Sequence, residues 1–332
     1  MKARIPVLAL SLSSALALST PVLAEGPAGG VIYGRILLTL DRWDQESDTP
    51  GADFDEWQLN SNNSRLGLKG EAELNHGLTA IYQMEFGVNI DGDGSTFSTR
   101  NSYVGLKGKY GTILGGKHDT PTKLIQDSID QFDNLPGDIN NIFEGENRMN
   151  DVVLYSTPVL AEAFTVSFAF IPGEDAKDGS RDDGVSGDGL ADGKSLSIEY
   201  APSDSLLLAV GIDRDINGFD LERLAAQYRF GDFQLGVMAE FYENDDVLDP
   251  VDMRAELVSL SYTKGPGVFK VQAGLADSRI NDAQRETFSV GYDYKLASAT
   301  RLVSYITRNK DEDALGDATT ETIFGVGLEH RF

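Results

Sequence analysis

The sequence predicts an all-β fold, a transmembrane antiparallel β-barrel of about 16 strands with a long third loop folded inward. Two observations lead to this prediction. Most segments alternate apolar and polar residues with a period of two, and their connections alternate between tight turns and long acidic loops. A closed barrel also removes the unpaired strand edges that such an extensive sheet would expose. Residues 25–332 are therefore expected to form a single barrel domain.

The first 24 residues have the organisation of a signal peptide. Lys2 and Arg4 give a basic start, an apolar run follows from 7 to 18, and the segment ends in a small-residue cleavage site at Ala24. Beyond it, nothing approaches the roughly 20 consecutive apolar residues that a membrane-spanning helix needs. A membrane protein built of helices is therefore excluded, and export from the cytoplasm is expected.

Composition excludes several kinds of site. The chain has no cysteine, so neither a disulfide nor a thiolate metal site is possible, and we predict no cofactor and no dedicated metal site. Binding of divalent cations by the acidic loops at 91–93 and 182–183 stays an open alternative. The net charge is -25, and the signal segment carries two positive charges and no acid, which leaves the mature chain at -27. This sign argues against nucleic acid as a partner. The acids cluster in the predicted loops.

The first alternating segments assign residues to the two faces of the barrel. In residues 32–40, Ile36 and Leu38 lie on one face and Arg35 on the other. If the apolar face contacts lipid, Arg35 faces the lumen. The same alternation in the next three strands directs further charged residues into the lumen: Arg65, Lys69, Glu71, Glu85 and Arg100.

One stretch of about 30 residues, 117–148, lacks this alternation. It contains the apolar residues Ile129, Phe132 and Leu135, followed by Pro136. Loops of this length are usually functional or disordered, and the apolar content argues against disorder. We expect the stretch to fold into the barrel as a constriction loop. Its acids Asp130, Asp133 and Asp138 would then face the wall, and their spacing does not decide which of them meets it.

Several motifs carry a family resemblance over essentially all of the mature sequence. They are SRLGLKGE at 64–71, RNSYVGL at 100–106, YGTILGG at 110–116 and the terminal Phe332. Taken together they resemble the general porins of Gram-negative outer membranes. Two positions depart from that pattern: His330 stands where an aromatic residue is usual, and Gly137 separates Pro136 from the next acid.

The resemblance implies roles for individual residues. It maps Arg35, Arg65, Arg100 and Arg148 onto the basic wall cluster of the constriction, and Phe332 onto the export signal read by the barrel assembly machinery. It also implies a homotrimer in the outer membrane of a Gram-negative bacterium, in contact with lipopolysaccharide.

The expected function is a water-filled channel for passive diffusion of ions and small hydrophilic solutes. Selection would depend on pore size and on a transverse field between wall arginines and loop carboxylates. The net charge favours weak cation selectivity. A substrate-specific channel for a sugar or another small metabolite is the main alternative, followed by an adhesin or a barrel enzyme. No catalytic residue is predicted, because His118 has no serine motif near it and the two other histidines, His76 and His330, lie in a turn and at the chain end.

Overall fold

The computed structural model describes residues 30–92, 94–126, 128–173, 184–244, 246, 248 and 250–332. The predicted signal peptide, residues 1–24, lies outside them. The described residues form one 17-stranded antiparallel sheet. The strands are β1 Val31–Ser47, β2 Phe54–Ser61, β3 Arg65–Glu73, β4 Thr79–Val88, β5 Phe97–Gly108, β6 Gly111–Asp119, β7 Arg148–Ser156, β8 Phe164–Ile171, β9 Gly193–Ser203, β10 Leu206–Ile216, β11 Phe219–Phe230, β12 Phe233–Asn244, β13 Asp252–Lys264, β14 Gly267–Ser278, β15 Gln284–Ala297, β16 Thr300–Glu312 and β17 Ala318–Arg331.

The sheet closes on itself, and its strands fill 16 positions around the barrel. Strand β2 pairs with residues 38–45 of β1, and β3 pairs with residues 31–35 of the same strand, so β2 and β3 occupy one position in succession. From β3 onward each strand pairs with the next, and β17 pairs with β1. The predicted closed antiparallel barrel is confirmed.

The connections have different lengths at the two ends of the barrel. At one end they are tight turns, such as residues 231–232 between β11 and β12. At the other end they include the long segments 120–147 and 172–192. One connection at the long-loop end departs from this rule, because β10 and β11 are joined by Asn217 and Gly218 alone. Both residues have positive φ, 53° and 79°, which is the geometry of a two-residue hairpin turn.

The strands present apolar side chains outward and polar side chains inward. On β1, Ile32 and Ile36 are 54% and 41% exposed, whereas Arg35 and Thr39 are buried inside the barrel. This is the reverse of a water-soluble sheet protein and fits an outer surface solvated by lipid.

Outward-facing aromatic side chains line the tight-turn end of the barrel. The centroids of contacting rings are 4.6 to 6.5 Å apart, as in the aromatic girdle of a membrane interface. Its members are Phe164, Tyr200, Tyr228, Phe230, Phe233, Tyr262, Phe269, Tyr292, Tyr294, His330 and Phe332.

The segment between β6 and β7, residues 120–147, folds into the barrel. We call it the inner loop. Its side chains Ile129, Phe132 and Ile142 are 0% exposed, because they pack against the inward faces of the strands. The loop contains a short helix, α1 Pro121–Leu124, and a 3₁₀ turn at Ile139–Asn141. The inner loop is shorter than the predicted stretch 117–148, because the first and last residues of that stretch belong to β6 and β7. Within the described residues, no helix is long and apolar enough to span a membrane.

Candidate functional site

The structure brings the four predicted arginines to one sector of the inner wall. Arg35 lies on β1, Arg65 on β3, Arg100 on β5 and Arg148 on β7. The side chain of Arg35 is only 6% exposed, whereas those of Arg65, Arg100 and Arg148 are 26%, 12% and 19% exposed. Three of the four guanidinium groups are therefore accessible from the lumen.

Glu85 on β4 lies between Arg65 and Arg100. Its carboxylate accepts a 2.7 Å hydrogen bond from Arg100 Nε and lies 3.8 Å from Arg65 Nε. It also accepts a 2.9 Å hydrogen bond from the Tyr33 hydroxyl. A carboxylate in this position offsets the repulsion between the two guanidinium groups that share this small space.

Asp119 has the same role for Arg148. Arg148 Nη2 lies 3.0 Å from Asp119 Oδ1, and Arg148 Nε donates a 2.6 Å hydrogen bond to Asn101 Oδ1. Lys123, at the start of the inner loop, lies 3.8 Å from the same carboxylate. Asp119 therefore links the wall to the base of the loop.

Arg35 is held by backbone and by the last strand. Its Nη2 donates to the backbone oxygens of Asn62 and Asn63 at 3.2 and 3.3 Å, and its Nη1 lies 3.8 Å from Glu329 on β17. The two carbonyls belong to the break between β2 and β3. This break therefore supplies acceptors that a continuous strand would have used in its own ladder.

The charged row continues beyond the predicted residues. Glu329 accepts hydrogen bonds from Arg301 and Arg331 at 2.9 and 2.8 Å. Arg301 also donates to Asp293 at 2.8 Å, and Asp293 lies 3.1 Å from Lys270 Nζ. The sequence could have identified these additional wall residues from strand alternation, since their side chains lie on the inward faces of the strands. We call the full row the wall ladder: Lys270, Asp293, Arg301, Glu329, Arg35, Arg65, Glu85, Arg100, Asp119 and Arg148.

The two remaining predicted wall residues lie on β3, on the tight-turn side of Arg65. Lys69 Nζ lies 4.9 Å from the centre of the Tyr33 ring, in a cation–π contact. Glu71 is exposed.

The predicted loop acids differ in exposure. Asp133 is exposed at the tip of the loop, and its charge acts on Arg35 and Arg301 of the wall ladder. Asp138 is half-buried and caps the 3₁₀ turn, accepting hydrogen bonds from the backbone N–H groups of Asn140 at 3.0 Å and Asn134 at 2.7 Å. Asp133 is therefore the acid directed most openly toward the wall.

Asp130 lies beneath the loop surface and not on the lumen face. It accepts hydrogen bonds from the backbone N–H groups of Phe132 and Ile139, at 2.8 and 3.1 Å, and from Gln272 Nε2 on β14 at 2.9 Å. Asp130 is 7% exposed, and its carboxylate connects the two halves of the loop through these hydrogen bonds. The sequence places it with the other acids by spacing, but spacing carries no information about its depth.

The three carboxylates form one cluster, with ligand oxygens within 4.8 Å of one another. Burial, followed by the negative charges of Asp133 and Glu146, raises the pKa of Asp138 to about 7. Burial and the charges of Asp138 and Asp133 raise the pKa of Asp130 well above its ordinary value. The cluster can thus hold a proton near neutral pH, and its oxygens are also the ligand type that a hard cation takes.

The tip of the inner loop also touches the wall directly. The side-chain amide of Asn63 donates a hydrogen bond to the side-chain oxygen of Asn134. Asn63 Oδ1 in turn accepts a 2.5 Å hydrogen bond from Arg100. Both asparagines have positive φ, 53° and 65°, a conformation that asparagine tolerates better than most residues. This contact sets the position of Asp133, which is next to Asn134 in the chain.

A buried ion-pair cluster fastens the end of the inner loop to the opposite wall. Arg223 on β11 donates hydrogen bonds to Glu240 at 2.6 Å and to Glu146 at 2.7 Å. Glu240 also accepts from the backbone N–H groups of Glu144 and Gly145 at 2.8 and 3.2 Å. We call this arrangement the loop latch. No sequence motif marks it, since its members come from three separate segments.

Further polar contacts fasten the rest of the loop. Near its start, Thr122 Oγ1 donates to Asp213 on β10 at 2.5 Å. In its middle, Ser259 Oγ donates to the backbone oxygen of Ile129 at 2.6 Å. Gln272 donates to the Gly137 carbonyl at 3.0 Å. The loop is thus attached along β10 to β14, and its acidic tip extends toward the wall ladder.

Phe332 closes the barrel. Its backbone N–H and C=O both exchange hydrogen bonds with Gly34 of β1, at 3.1 and 2.8 Å. A Cβ atom added to Gly34 would lie 2.4 Å from the Phe332 ring, so the ring rests directly on the glycine. The role of Phe332 in assembly remains a prediction from the sequence.

His118, the histidine considered for catalysis, is buried against Tyr103, with ring centroids 5.2 Å apart. Its Nδ1 donates a 2.8 Å hydrogen bond to the backbone oxygen of Asp119. In the described part of the chain, no serine or threonine hydroxyl forms a hydrogen bond with this ring. The arrangement is that of a packed structural histidine.

Comparison with known proteins agrees with this architecture. The sequence profile described as Gram-negative porin matches residues 9–314. Outer membrane porin protein 32 of Delftia acidovorans is 26% identical over 302 residues, covering 81% of this chain and 84% of that protein. Major outer membrane protein P.IB of Neisseria sicca is 32% identical over 117 residues, so the matched part covers 34% of this chain and only 32% of that relative. The solved anion-selective porin from Comamonas acidovorans superposes with a TM-score of 0.76 at 21% identity, covering 92% of this chain and 99% of that one.

Proposed function

Since the chain belongs to the Gram-negative porin family and is an outer-membrane β-barrel, we propose that it is a water-filled channel for passive diffusion of ions and small hydrophilic solutes. One observation carries the proposal. A loop inside the barrel presents an exposed Asp133 carboxylate whose charge acts on Arg35 and Arg301 of the wall ladder, beside the lumen-accessible arginines of β3, β5 and β7.

The opposed charges are proposed to act as a selectivity filter. Two unit charges about 8 Å apart in water interact by only about 0.5 kcal/mol. A row of them in a narrow passage bounded by low-dielectric walls has a larger effect, because the field lines are focused there. Water is then oriented across the passage. Polar solutes and ions can replace that water, whereas an apolar solute disrupts it, so selection requires no chemical step.

The sign of ion selectivity depends on a balance. Every predicted wall arginine has a carboxylate partner within 4 Å: Glu329 for Arg35, Glu85 for Arg65 and Arg100, and Asp119 for Arg148. These three carboxylates offset part of the positive charge of the wall and leave it net positive opposite Asp133. The acidic long loops and the net charge of the mature chain are proposed to decide the sign and to make the channel weakly cation-selective.

Three partners follow from the family and from the sequence. A homotrimer is proposed, since one solved structural neighbour, OmpT of Vibrio cholerae, carries the words trimer form in its name and superposes with a TM-score of 0.64. Contact with lipopolysaccharide is proposed for the outer surface, and recognition of Phe332 by the barrel assembly machinery for the chain end. Each is a further expectation for this chain.

Conductance in planar bilayers tests the proposal. We expect a large, solute-unspecific step, and a reversal potential in a KCl gradient that shows a modest preference for potassium. A small step that one sugar or metabolite blocks at low concentration would favour the substrate-specific channel instead. A clear preference for chloride, the selectivity in the name of the Comamonas acidovorans porin, would refute the selectivity proposal but not the channel. Absence of any conductance would refute both.

A further inference from the structure

We propose that a groove on the outer surface of β14, β15 and β16 binds an outer-leaflet lipid with a phosphorylated headgroup, through Arg308. We call it the outer groove. It has a volume of about 450 Å³, and its lining includes Ala273, Leu275, Phe288, Arg308 and Lys310. The inference rests on the lipopolysaccharide contact proposed above and assigns that contact to one surface, which has no part in the proposed diffusion function.

Two cross-strand rows build the outer groove. In one row Ala273 faces Phe288, and Phe288 faces Arg308. In the other row Leu275 pairs with Glu286, which pairs with Lys310. The rows point away from the lumen, because residues that alternate with them along the strands, such as Thr287 and Thr307, are buried inside the barrel. The surface that results is apolar on β14 and cationic on β16.

Arg308 is unusual for its position. It lies in register with Phe288 on β15, and Phe288 is six positions along that strand from the girdle residue Tyr294. For strands tilted as in outer-membrane barrels, six positions place Arg308 about 15 Å above the girdle. The apolar band of an outer-membrane barrel is about 25 Å tall, so Arg308 lies in its upper part, on the long-loop side. A long side chain at this level can extend its charged end to the interface.

Among the described residues, none forms an ion pair or a hydrogen bond with the side chain of Arg308. Other outward arginines in the same half of the barrel are paired, Arg254 with Glu256 and Arg214 with Glu222. Lys310 is paired with Glu312 at 2.5 Å. Arg308 is therefore the cation of this surface that is available to an external anion.

The chemistry of the groove indicates which anion fits. A guanidinium group binds phosphate oxygens in a bidentate manner and loses less hydration than an ammonium group. Glu286 is the acid in the groove lining, and it lies in the Lys310 row, so the phosphate is expected on the Arg308 side. The groove shares Ala273, Gly274 and Leu275 with a larger outward depression of about 820 Å³ over β9 to β14, lined mainly by apolar side chains. An acyl chain can lie there while the phosphate contacts Arg308.

Lipid binding to the purified full-length mature protein in detergent micelles tests this assignment. The probes are lipid A with both phosphates and the same lipid after the phosphates are removed, with bound lipid counted by native mass spectrometry. We expect Arg308→Ala to weaken binding of phosphorylated lipid A about tenfold or more, the loss of one charge-assisted contact, and Arg308→Lys to restore part of it. The dephosphorylated lipid should bind wild type and Arg308→Ala equally.

Arg254→Ala is the matched control, since it removes an outward arginine that is already ion-paired, and it should leave lipid binding unchanged. Single-channel conductance of Arg308→Ala should equal that of wild type, which separates this proposal from the channel function. Equal binding of phosphorylated lipid A to wild type and Arg308→Ala would overturn the proposal. So would a change of oligomeric state in Arg308→Ala without loss of lipid, because the groove would then be covered by a second copy of the chain.

Discussion

Arg223 and Glu240 form an ion pair in which both side chains are 0% exposed, joined by a 2.6 Å hydrogen bond behind the inner loop. Glu240 also accepts hydrogen bonds from the loop backbone, so the pair links the wall to the loop end. Removing one member of a buried pair leaves the other charge without compensation, at a cost of about 3–5 kcal/mol.

We therefore expect Arg223→Met to release the end of the loop. Single-channel recordings should show noisier conductance with additional substates, and a protease added to the purified protein should cleave within residues 120–147. The double variant Arg223→Met with Glu240→Met should release the loop end further, since it also removes the acceptor of the backbone N–H groups of Glu144 and Gly145. Wild-type conductance and unchanged protease resistance in Arg223→Met would contradict the assigned role of the pair.

Asp133 and Asp130 should differ in reactivity once replaced by cysteine. The chain has no native cysteine, so every thiol signal comes from the introduced residue. A small charged methanethiosulfonate reagent should react rapidly with Asp133→Cys and change the conductance, because residue 133 is exposed at the loop tip. Asp130→Cys should react far more slowly, because residue 130 is buried.

Arg65→Cys provides the corresponding site on the wall and should also react. If neither Asp133→Cys nor Arg65→Cys changed conductance after labelling, the loop tip and the arginine row would not border the solute path. Rapid labelling of Asp130→Cys would show instead that the loop opens far enough to expose its underside.

Ion selectivity should depend on pH through Asp138. Its pKa is raised to about 7 by burial and by the charges of Asp133 and Glu146, so the carboxyl loses its negative charge as the pH falls through that value. About 90% of the groups are ionised at pH 8 and about 10% at pH 6. Preference for potassium over chloride should therefore decrease over this interval, as measured by reversal potentials.

Asp138→Asn is the control for this titration. The amide can still accept one of the backbone hydrogen bonds of the 3₁₀ turn, but it carries no charge at any pH. Its potassium preference should equal the low-pH value of wild type and show no step near pH 7. A step of undiminished size in this variant would assign the titration to another group.

Substitutions of Asn134 can separate the effect of its hydrogen bond with Asn63 from the effect of its backbone conformation. Asn134→Gly removes a side-chain hydrogen bond but keeps a backbone that tolerates a φ of 65°. Asn134→Ala removes the same bond and adds about 1 kcal/mol or more of backbone strain. We expect conductance noise to rise in the order wild type, glycine variant, alanine variant. Equal noise in all three would show that the tip is fixed by other contacts.

Several features of the barrel follow from local sequence. Alternation predicts which face of a strand meets lipid, because successive side chains point to opposite sides of a sheet. Arg35 is placed in the lumen as soon as Ile36 is placed outside, and the same reasoning locates Arg65 and Arg100. The inner loop is recognisable because apolar residues such as Phe132 interrupt the alternation without providing strand periodicity.

Other features needed the folded chain. The depth of Asp130, the partners of Arg223 and the extension of the wall ladder to Lys270 depend on residues from distant strands. No spacing rule connects a residue of the inner loop with its partner on β11 or β14, because barrel closure and the path of the loop set those distances. The break between β2 and β3 is also hidden, since both strands retain the expected alternation.

The sequence by itself therefore determined the barrel, the membrane-facing surface and the identity of the loop that enters it, because side-chain alternation and connection length are local properties. Only the tertiary structure decided which charges meet inside the barrel. Asp133 is exposed toward the wall while Asp130 is buried beneath the same loop, and the difference arises from how the latch and the strand hydrogen bonds orient the loop. Burial and charge pairing are properties of the assembled surfaces, and residues far apart in the sequence create them.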